Sequence, residues 1–356
     1  MANSSGNETF NNSYIFFDYI QNARPQGKEA QEKYILPLFL LVGIFSNVST
    51  LIIFCRGKQT RMSVSIYVSA YCIGNLTTLF FLYGMHLLTT VSAFPELSNL
   101  NSSVCSILTF IHKMVQYSSV WFVVGMTIDR YIAVCHPSSA LTMCTVFMAK
   151  VAVGIILIGL VVTSVHAMWV YDINHKTGIC DMFTPENNLQ IVHLKIWNIL
   201  SAAAYVYLPL IILLILNTLL TCGLCFQHSS SSTSTQDNCS TEYTNAVVAI
   251  SMLYFGLVLP ITLYNIVMIS SEIRMTADMY NTLVLFDHMQ SINLVNVFFV
   301  CVLFSRSFRQ EIHCIYRLIR EKRRQTLEMN RLSNKALITN ETPTTTTNVN
   351  QEDTLI

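Results

Sequence analysis

The stretch Val104–Pro137, closing on Asp129-Arg130-Tyr131-Ile132-Ala133-Val134-Cys135-His136-Pro137, decides how this chain folds. It opens beside Cys105, and Val104–Ile128 carries a single charge, Lys113. Cys105 and Arg130 are 25 residues apart, about 37 Å of helix at ~1.5 Å per residue. A hydrocarbon core is about 30 Å thick. One helix therefore sets Cys105 on one side of a bilayer and Arg130 at the other. At that far end an adjacent carboxylate holds the guanidinium locally and can later release it to another partner.

The whole chain agrees with a membrane setting. Charged residues are 12% of 356, about half the share in a soluble domain, and mean hydropathy is +0.47. A soluble protein this apolar would precipitate unless most of its surface faced lipid. Net charge is +1, so bulk electrostatics select no partner and nothing points to nucleic acid. Seven charge-poor stretches follow one another: Tyr34–Cys55, Val64–Phe94, Val104–Ile128, Val151–Tyr171, Ile196–Phe226, Tyr243–Ser271 and Met279–Phe304. Only Lys113 and Asp287 interrupt them. Pro37, Pro209 and Pro260 fall inside three, as membrane helices tolerate. The expected fold is an all-α membrane protein, a seven-helix bundle over residues 34–304. No internal repeat suggests a channel or transporter. No nucleophile, metal or phosphate-binding constellation suggests an enzyme or a cofactor.

Seven spans put the termini on opposite faces. Residues 1–33 are polar, lack an apolar signal core, and carry sequons at Asn3, Asn7 and Asn11. They read as a glycosylated extracellular tail, with the first span acting as its own targeting signal. In that orientation 14 of 21 Lys and Arg lie inside, 9 of them in the C-terminal tail, in line with the positive-inside rule.

From Asp129 through Pro137 the chain resembles the end of the third transmembrane helix in rhodopsin-like (class A) G-protein-coupled receptors. The likeness covers roughly residues 34–320. Asn47, Cys105, Ser119, Asp129, Arg130, Tyr131, Cys180, Pro209, Pro260 and Phe308 stand where that family places those residue types. The tail and the general look of residues 43–75 are similar to invertebrate-type neuropeptide receptors. The resemblance implies a multi-pass plasma-membrane receptor that binds an extracellular ligand and activates a heterotrimeric G protein through Asp129, Arg130 and Tyr131. Under this topology only Cys105 and Cys180 of the 11 cysteines lie outside. An oxidising exterior makes their disulfide the default, the alternative being two free thiols. The bond would tie the loop Tyr171–Gln190 over the third helix. After the seventh span, residues 305–324 read as an amphipathic membrane-surface helix similar to the family's short eighth helix. Cys314 on it is a candidate for palmitoylation or an unmodified thiol. Residues 325–356 read as a disordered cytoplasmic tail, whose Thr354 and Ile356 fit a PDZ ligand. Arrestin is a further partner the family implies.

Departures from the family pattern fall on its moving parts. Asn75 replaces the usual aspartate, Asn217 a tyrosine and Val258 a tryptophan. Val297-Phe298-Phe299-Val300-Cys301 replaces Asn-Pro-x-x-Tyr. Without the carboxylate, Asn75 is not expected to hold a sodium ion in mid-membrane. Polar residues inside the spans are ligand candidates: His86, His112, Lys113, Gln116, Tyr264, Asp287 and His288. Lys113 and Asp287 either neutralise each other or engage a ligand's carboxylate, amide or amine. His86, His112 and His288 lack the tight spacing of a zinc site. His112 in place of an aspartate argues against a biogenic amine, and the seventh span has no lysine for retinal. A neuropeptide is the favoured ligand, a non-peptide small molecule the alternative. An atypical receptor-like scaffold or decoy with weak coupling is the competing function.

Overall fold

The computed structural model describes residues 35–85, 87–88, 99–174, 178–182, 188–230, 238–271 and 276–340. Asn3, Asn7, Asn11, His86, Thr354 and Ile356 lie outside them. Among the described residues of the unit up to Arg306, seven long helices, some made of joined pieces, carry the fold, with short helices at Pro137–Met143 and Ala167–Val170 between them. The first four long ones are α1 (Leu36–Phe54), α2 (Ser63–Leu79, continued by a π-helical turn Phe80–Gly84), α3 (Ser102–Cys135) and α4 (Val146–Ser164). Then come α5 (Asn188–Ala202 and Leu208–Ser230, joined by a π-helical turn Ala203–Tyr207) and α6 (Asn238–Ser271). The last, α7, is made of Ala277–Ser291 and Val297–Phe304, joined through the 3-10 turn Ile292–Leu294. Five of these are long and apolar enough to cross a membrane, and the bent α7 makes a sixth. The remaining one, α2, has 17 residues before its π-helical turn.

Local chemistry sets the helix starts. Pro37 sits in the first turn of α1, where a missing N–H costs nothing. Asn101, Thr145 and Thr276 cap α3, α4 and α7, each side chain accepting a backbone N–H three residues on. Of these helices α3 is the hub, packing against α2, α4, α5 and α6. A Cβ at Gly125 would come 2.9 Å from the Tyr67 ring, so glycine is what lets α2 and α3 approach there. The surface is inverted relative to a soluble protein. Asn47, Asn75, Thr127 and Ser251 are buried, while Leu41, Ile155, Ile158 and Val162 are exposed. Apolar side chains on the outside need a hydrocarbon solvent.

The seventh helix is not continuous over Met279–Phe304. Asn281–Leu294 and Val297–Phe304 are bent by 58° at the break between them, Val295-Asn296, although no proline is present to force it. The freed backbone groups are taken up by neighbouring helices. Tyr71 on α2 donates its hydroxyl to the Asn293 carbonyl at 2.9 Å. Asn47 on α1 donates to the Leu294 carbonyl at 2.7 Å and to the Gly43 carbonyl at 2.8 Å. Ser46 Oγ accepts from the Phe298 N–H at 3.2 Å.

From Ser307 the chain forms a second unit, whose described part belongs to a single helix, α8 (Arg306–Asn340). This corrects the expected boundary at residue 324, since residues 325–340 continue the helix. The polar composition read as disorder is also rich in good helix formers. Glu321-Lys322-Arg323-Arg324-Gln325 and Leu327-Glu328-Met329 contain no Gly or Pro. Cys314 is exposed on this helix.

Tyr71→Phe and Asn47→Ala should each lower the thermal stability of the detergent-solubilised protein by about 1 kcal/mol, because each leaves a buried carbonyl unpaired. Thr77→Val is the control, since its hydroxyl bonds only to its own helix on an exposed face. Equal melting temperatures for all three variants would remove the bend from the stability argument.

Candidate functional site

Three regions along α3 carry the chemistry. At the Cys105 end, Cys105 and Cys180 are disulfide-bonded, with Cα atoms 5.5 Å apart. The bond holds a two-stranded antiparallel hairpin, β1 (Tyr171–Ile173) and β2 (Cys180–Met182). Gly178, at φ +69°, makes its turn. Two hydrogen bonds reinforce the clasp. Ser106 donates to the Tyr171 carbonyl at 2.8 Å, and the Cys180 N–H donates to Asn99 Oδ1 at 2.7 Å.

Next along α3 lie three adjoining cavities. One of about 240 Å³ lies between α3, α4, α5 and the hairpin, with Lys113, Tyr117, His166, Tyr171, Trp197 and Ser201 on its wall. Tyr117, Ala202 and Val206 are shared with a second cavity of about 260 Å³, which reaches Tyr254, Val258, Asn265 and Gln290. Gln116, Tyr254 and Gln290 are shared with a third of about 50 Å³, bounded by Asn75, Ser119, Asp287 and Asn293. Gln116 and Asp287 are exposed although each sits within a helix, as an open cavity requires.

The sequence candidates divide. Lys113, Gln116 and Asp287 line these cavities. Lys113 and Asp287 are not paired: Lys113 Nζ lies 5.0 Å from the centre of the Tyr171 ring, and Asp287 faces the small cavity. The other described candidates lie off the walls. Tyr264 donates to the Met279 carbonyl at 2.7 Å, tying α6 to α7. His288 bonds the Val284 carbonyl through Nδ1 at 2.6 Å and packs edge-on against Phe39. His112 is half-buried, with Nε2 lacking a partner. Sequence reading missed Tyr117, Tyr205, Tyr254 and Gln290. Tyr117 was findable: Lys113, Gln116, Tyr117 and Val120 share one helical stripe. The small cavity also has a carboxylate that Asn75 cannot provide. Asn75 itself donates to Asn47 Oδ1 at 3.2 Å and accepts from Ser119 at 2.9 Å, so α1, α2 and α3 meet at one amide.

At the other end Arg130 and Asp129 are both 4% exposed. Arg130 Nε donates to Asp129 Oδ2 at 3.0 Å, and Nη2 donates to the same oxygen and to Ser63 Oγ at 3.2 Å. Ser63, the first residue of α2, in turn donates to Asp129 Oδ2 at 2.9 Å. The carboxylate therefore holds its charge partner and a neighbouring helix at once. Tyr131 meets His136 instead, its hydroxyl 3.3 Å from Nε2. Nearby, Ser251 on α6 donates to Asn217 Oδ1 on α5 at 2.6 Å. Beyond the end of α3, Cys144 donates its thiol to the Asp129 carbonyl at 3.3 Å. Burial, and then the Asp129 charge, push that thiol up to about 11.

The family model for the 7 transmembrane receptor (rhodopsin family) matches residues 46–308. The rat (Rattus norvegicus) somatostatin receptor type 5 is 23% identical over 186 residues, 52% of this chain and 48% of that protein. The Caenorhabditis elegans galanin-like G-protein coupled receptor npr-9 is 27% identical over 42% of this chain and 35% of its own length. The FMRFamide peptide receptor frpr-18 of the same nematode is 26% identical over 34% of this chain and 29% of its own. The aligned segments thus span about half the length of these relatives or less.

Because the thiolate is the reactive form, Cys144 should be alkylated roughly a hundredfold more slowly at pH 7.5 than an unshifted thiol, with rates climbing as pH passes 10. A protein that keeps the Cys105–Cys180 disulfide and has Cys144 as its one free thiol, titrated with iodoacetamide beside a free cysteine peptide, measures this. Equal rates would show that the Asp129 contact does not hold Cys144.

Proposed function

The chain belongs to the rhodopsin family of seven-transmembrane receptors, and from that premise we propose that it binds an extracellular neuropeptide in the cavities beside Lys113 and activates a heterotrimeric G protein through Arg130. Family membership makes it a receptor and not an enzyme. Peptide receptors among its relatives support the ligand class, a non-peptide small molecule being the alternative. The Lys/Arg distribution and the Cys105–Cys180 clasp support an extracellular N-terminus, with Asn3, Asn7 and Asn11 as glycosylation sites. Residues 305–324 serve as an amphipathic membrane-surface helix, with Cys314 as a palmitoylation site and Thr354 and Ile356 as a PDZ ligand.

One observation carries the reading. A single helix lines the cavities with Lys113, Gln116 and Tyr117 and ends in a buried guanidinium. That guanidinium is held by Asp129 and Ser63. A ligand favours the arrangement it binds more tightly, by no more than its difference in affinity for the two. Release of Arg130 toward a G-protein helix needs the α2 and α3 contacts at Ser63 to loosen. It also needs the inner ends of α5 and α6 to move apart.

A second reading, a receptor-like scaffold or decoy that couples weakly, is favoured by the Asn217–Ser251 bond, which ties α5 to α6. Nucleotide exchange measured beside arrestin recruitment separates the two. Arg130→Ala should abolish ligand-driven exchange while leaving the receptor at the cell surface. Ser63→Ala should raise ligand-independent exchange about fivefold, the effect of removing roughly 1 kcal/mol from the resting side. Exchange that survives Arg130→Ala would end the coupling role. Arrestin recruitment without exchange in the wild-type chain would establish the scaffold.

A further inference from the structure

The cavity between α3, α4, α5 and the hairpin gathers donors and, among the described residues, has no carboxylate on its wall. Lys113 brings a positive charge whose neighbour is the Tyr171 ring, not an acid. Trp197 and Ser201 are one helical turn apart on α5, and both line this space. The Trp197 indole Nε1 and the Ser201 Oγ are buried and without a hydrogen-bond partner. An indole N–H only donates, and an ammonium only donates. The carboxylates of the nearby hairpin are committed elsewhere. Asp172 accepts from the Ile173 N–H at 2.6 Å, and Asp181 from the Met182 N–H at 2.7 Å. Neither lines the cavity, and Asp287 belongs to the separate small cavity.

An ammonium with a ring and no acid beside it, and two buried polar atoms without partners, are each costly. A single guest satisfies all three if it is negative and offers several acceptor oxygens. Aromatic walls at Tyr117, Tyr171, Trp197 and His166 suit a planar or apolar group beside it. We propose that this cavity is a carboxylate subsite: the ligand enters it with an acidic group that pairs with Lys113 and accepts from Trp197 and Ser201. This deepens the ligand-binding reading above and rests on it. The acid is either a peptide's terminal carboxylate or an acidic side chain, since both present the same two oxygens.

The test uses the full-length chain in nanodiscs, with binding read by saturation-transfer NMR and thermal shift. Three probes are compared: N-acetyl-phenylalanine, with a terminal carboxylate; N-acetyl-glutamyl-phenylalanine amide, with a side-chain carboxylate; and N-acetyl-phenylalanine amide, which is neutral. At least one acid should bind about tenfold more tightly than the neutral amide, and which one does so identifies the source. Lys113→Gln should erase that preference and Lys113→Arg retain it. Trp197→Phe, which keeps the ring and loses the N–H, should weaken the acid alone. If Lys113→Gln fails to fold, the wild-type comparison and Trp197→Phe still decide. Equal binding of acid and amide, no acid binding at millimolar concentration, or a preference that survives Lys113→Gln would each overturn the subsite. No G protein is needed for this readout. A failure to couple therefore leaves the subsite standing, and a neutral preference leaves coupling standing.

Discussion

A peptide group in hydrocarbon must find its partner inside the protein, and the bend in α7 is where this chain meets that demand most visibly. The carbonyls of Asn293 and Leu294 are freed by a 58° turn and then claimed by Tyr71 and Asn47. Those two donors belong to α2 and α1, so the bend is also the joint that fastens three helices. Asn47 then meets Asn75, which accepts from Ser119 on α3. Backbone satisfaction at one turn thus fixes the relative rotation of α1, α2, α3 and α7. That rotation decides which side chains reach the cavities.

Fastened in this way, α3 works as a rod with different chemistry at its two ends. A covalent bond fixes one end to the hairpin that walls the Lys113 cavity. At the other end a charged pair is buried with one hydroxyl for help. A covalent clasp keeps its geometry through a change of state. A charge pair held by one carboxylate and one serine can exchange partners, because its cohesion depends on the hydrogen bonds that complete it. The asymmetry suits a molecule in which binding at one end is reported at the other.

The departures from the family pattern are less disruptive in three dimensions than in a row of letters. Asn75 loses a charge but keeps two hydrogen bonds. Asn217 loses a phenol but gains Ser251 across the α5–α6 gap. Val258 takes a place on the wall of the larger cavity, which a bulkier ring would fill. Val297-Phe298 loses the proline, yet the helix still breaks, because side chains on α1 and α2 stabilise the broken form.

The amino-acid order alone determined the number of spans, the length of α3 and the Asp129–Arg130 pair. These follow from residue type and from distance along a helix, and a helix has a fixed rise. The Cys105–Cys180 bond was legible for a related reason, since a sevenfold threading leaves those two sulfurs together. The three-dimensional packing decided the rest. Lys113, Gln116, His112, Tyr264 and His288 look alike as polar residues in apolar runs, yet only the first two line cavities. The difference is the rotation of each helix about its axis, set by contacts such as Asn47 to Leu294 that lie 247 residues apart. The bend in α7 was hidden because its donors lie on other helices. Charge separation was hidden too: Lys113 and Asp287 have opposite signs and similar depth, but the cavities between α3 and its neighbours hold them on different walls.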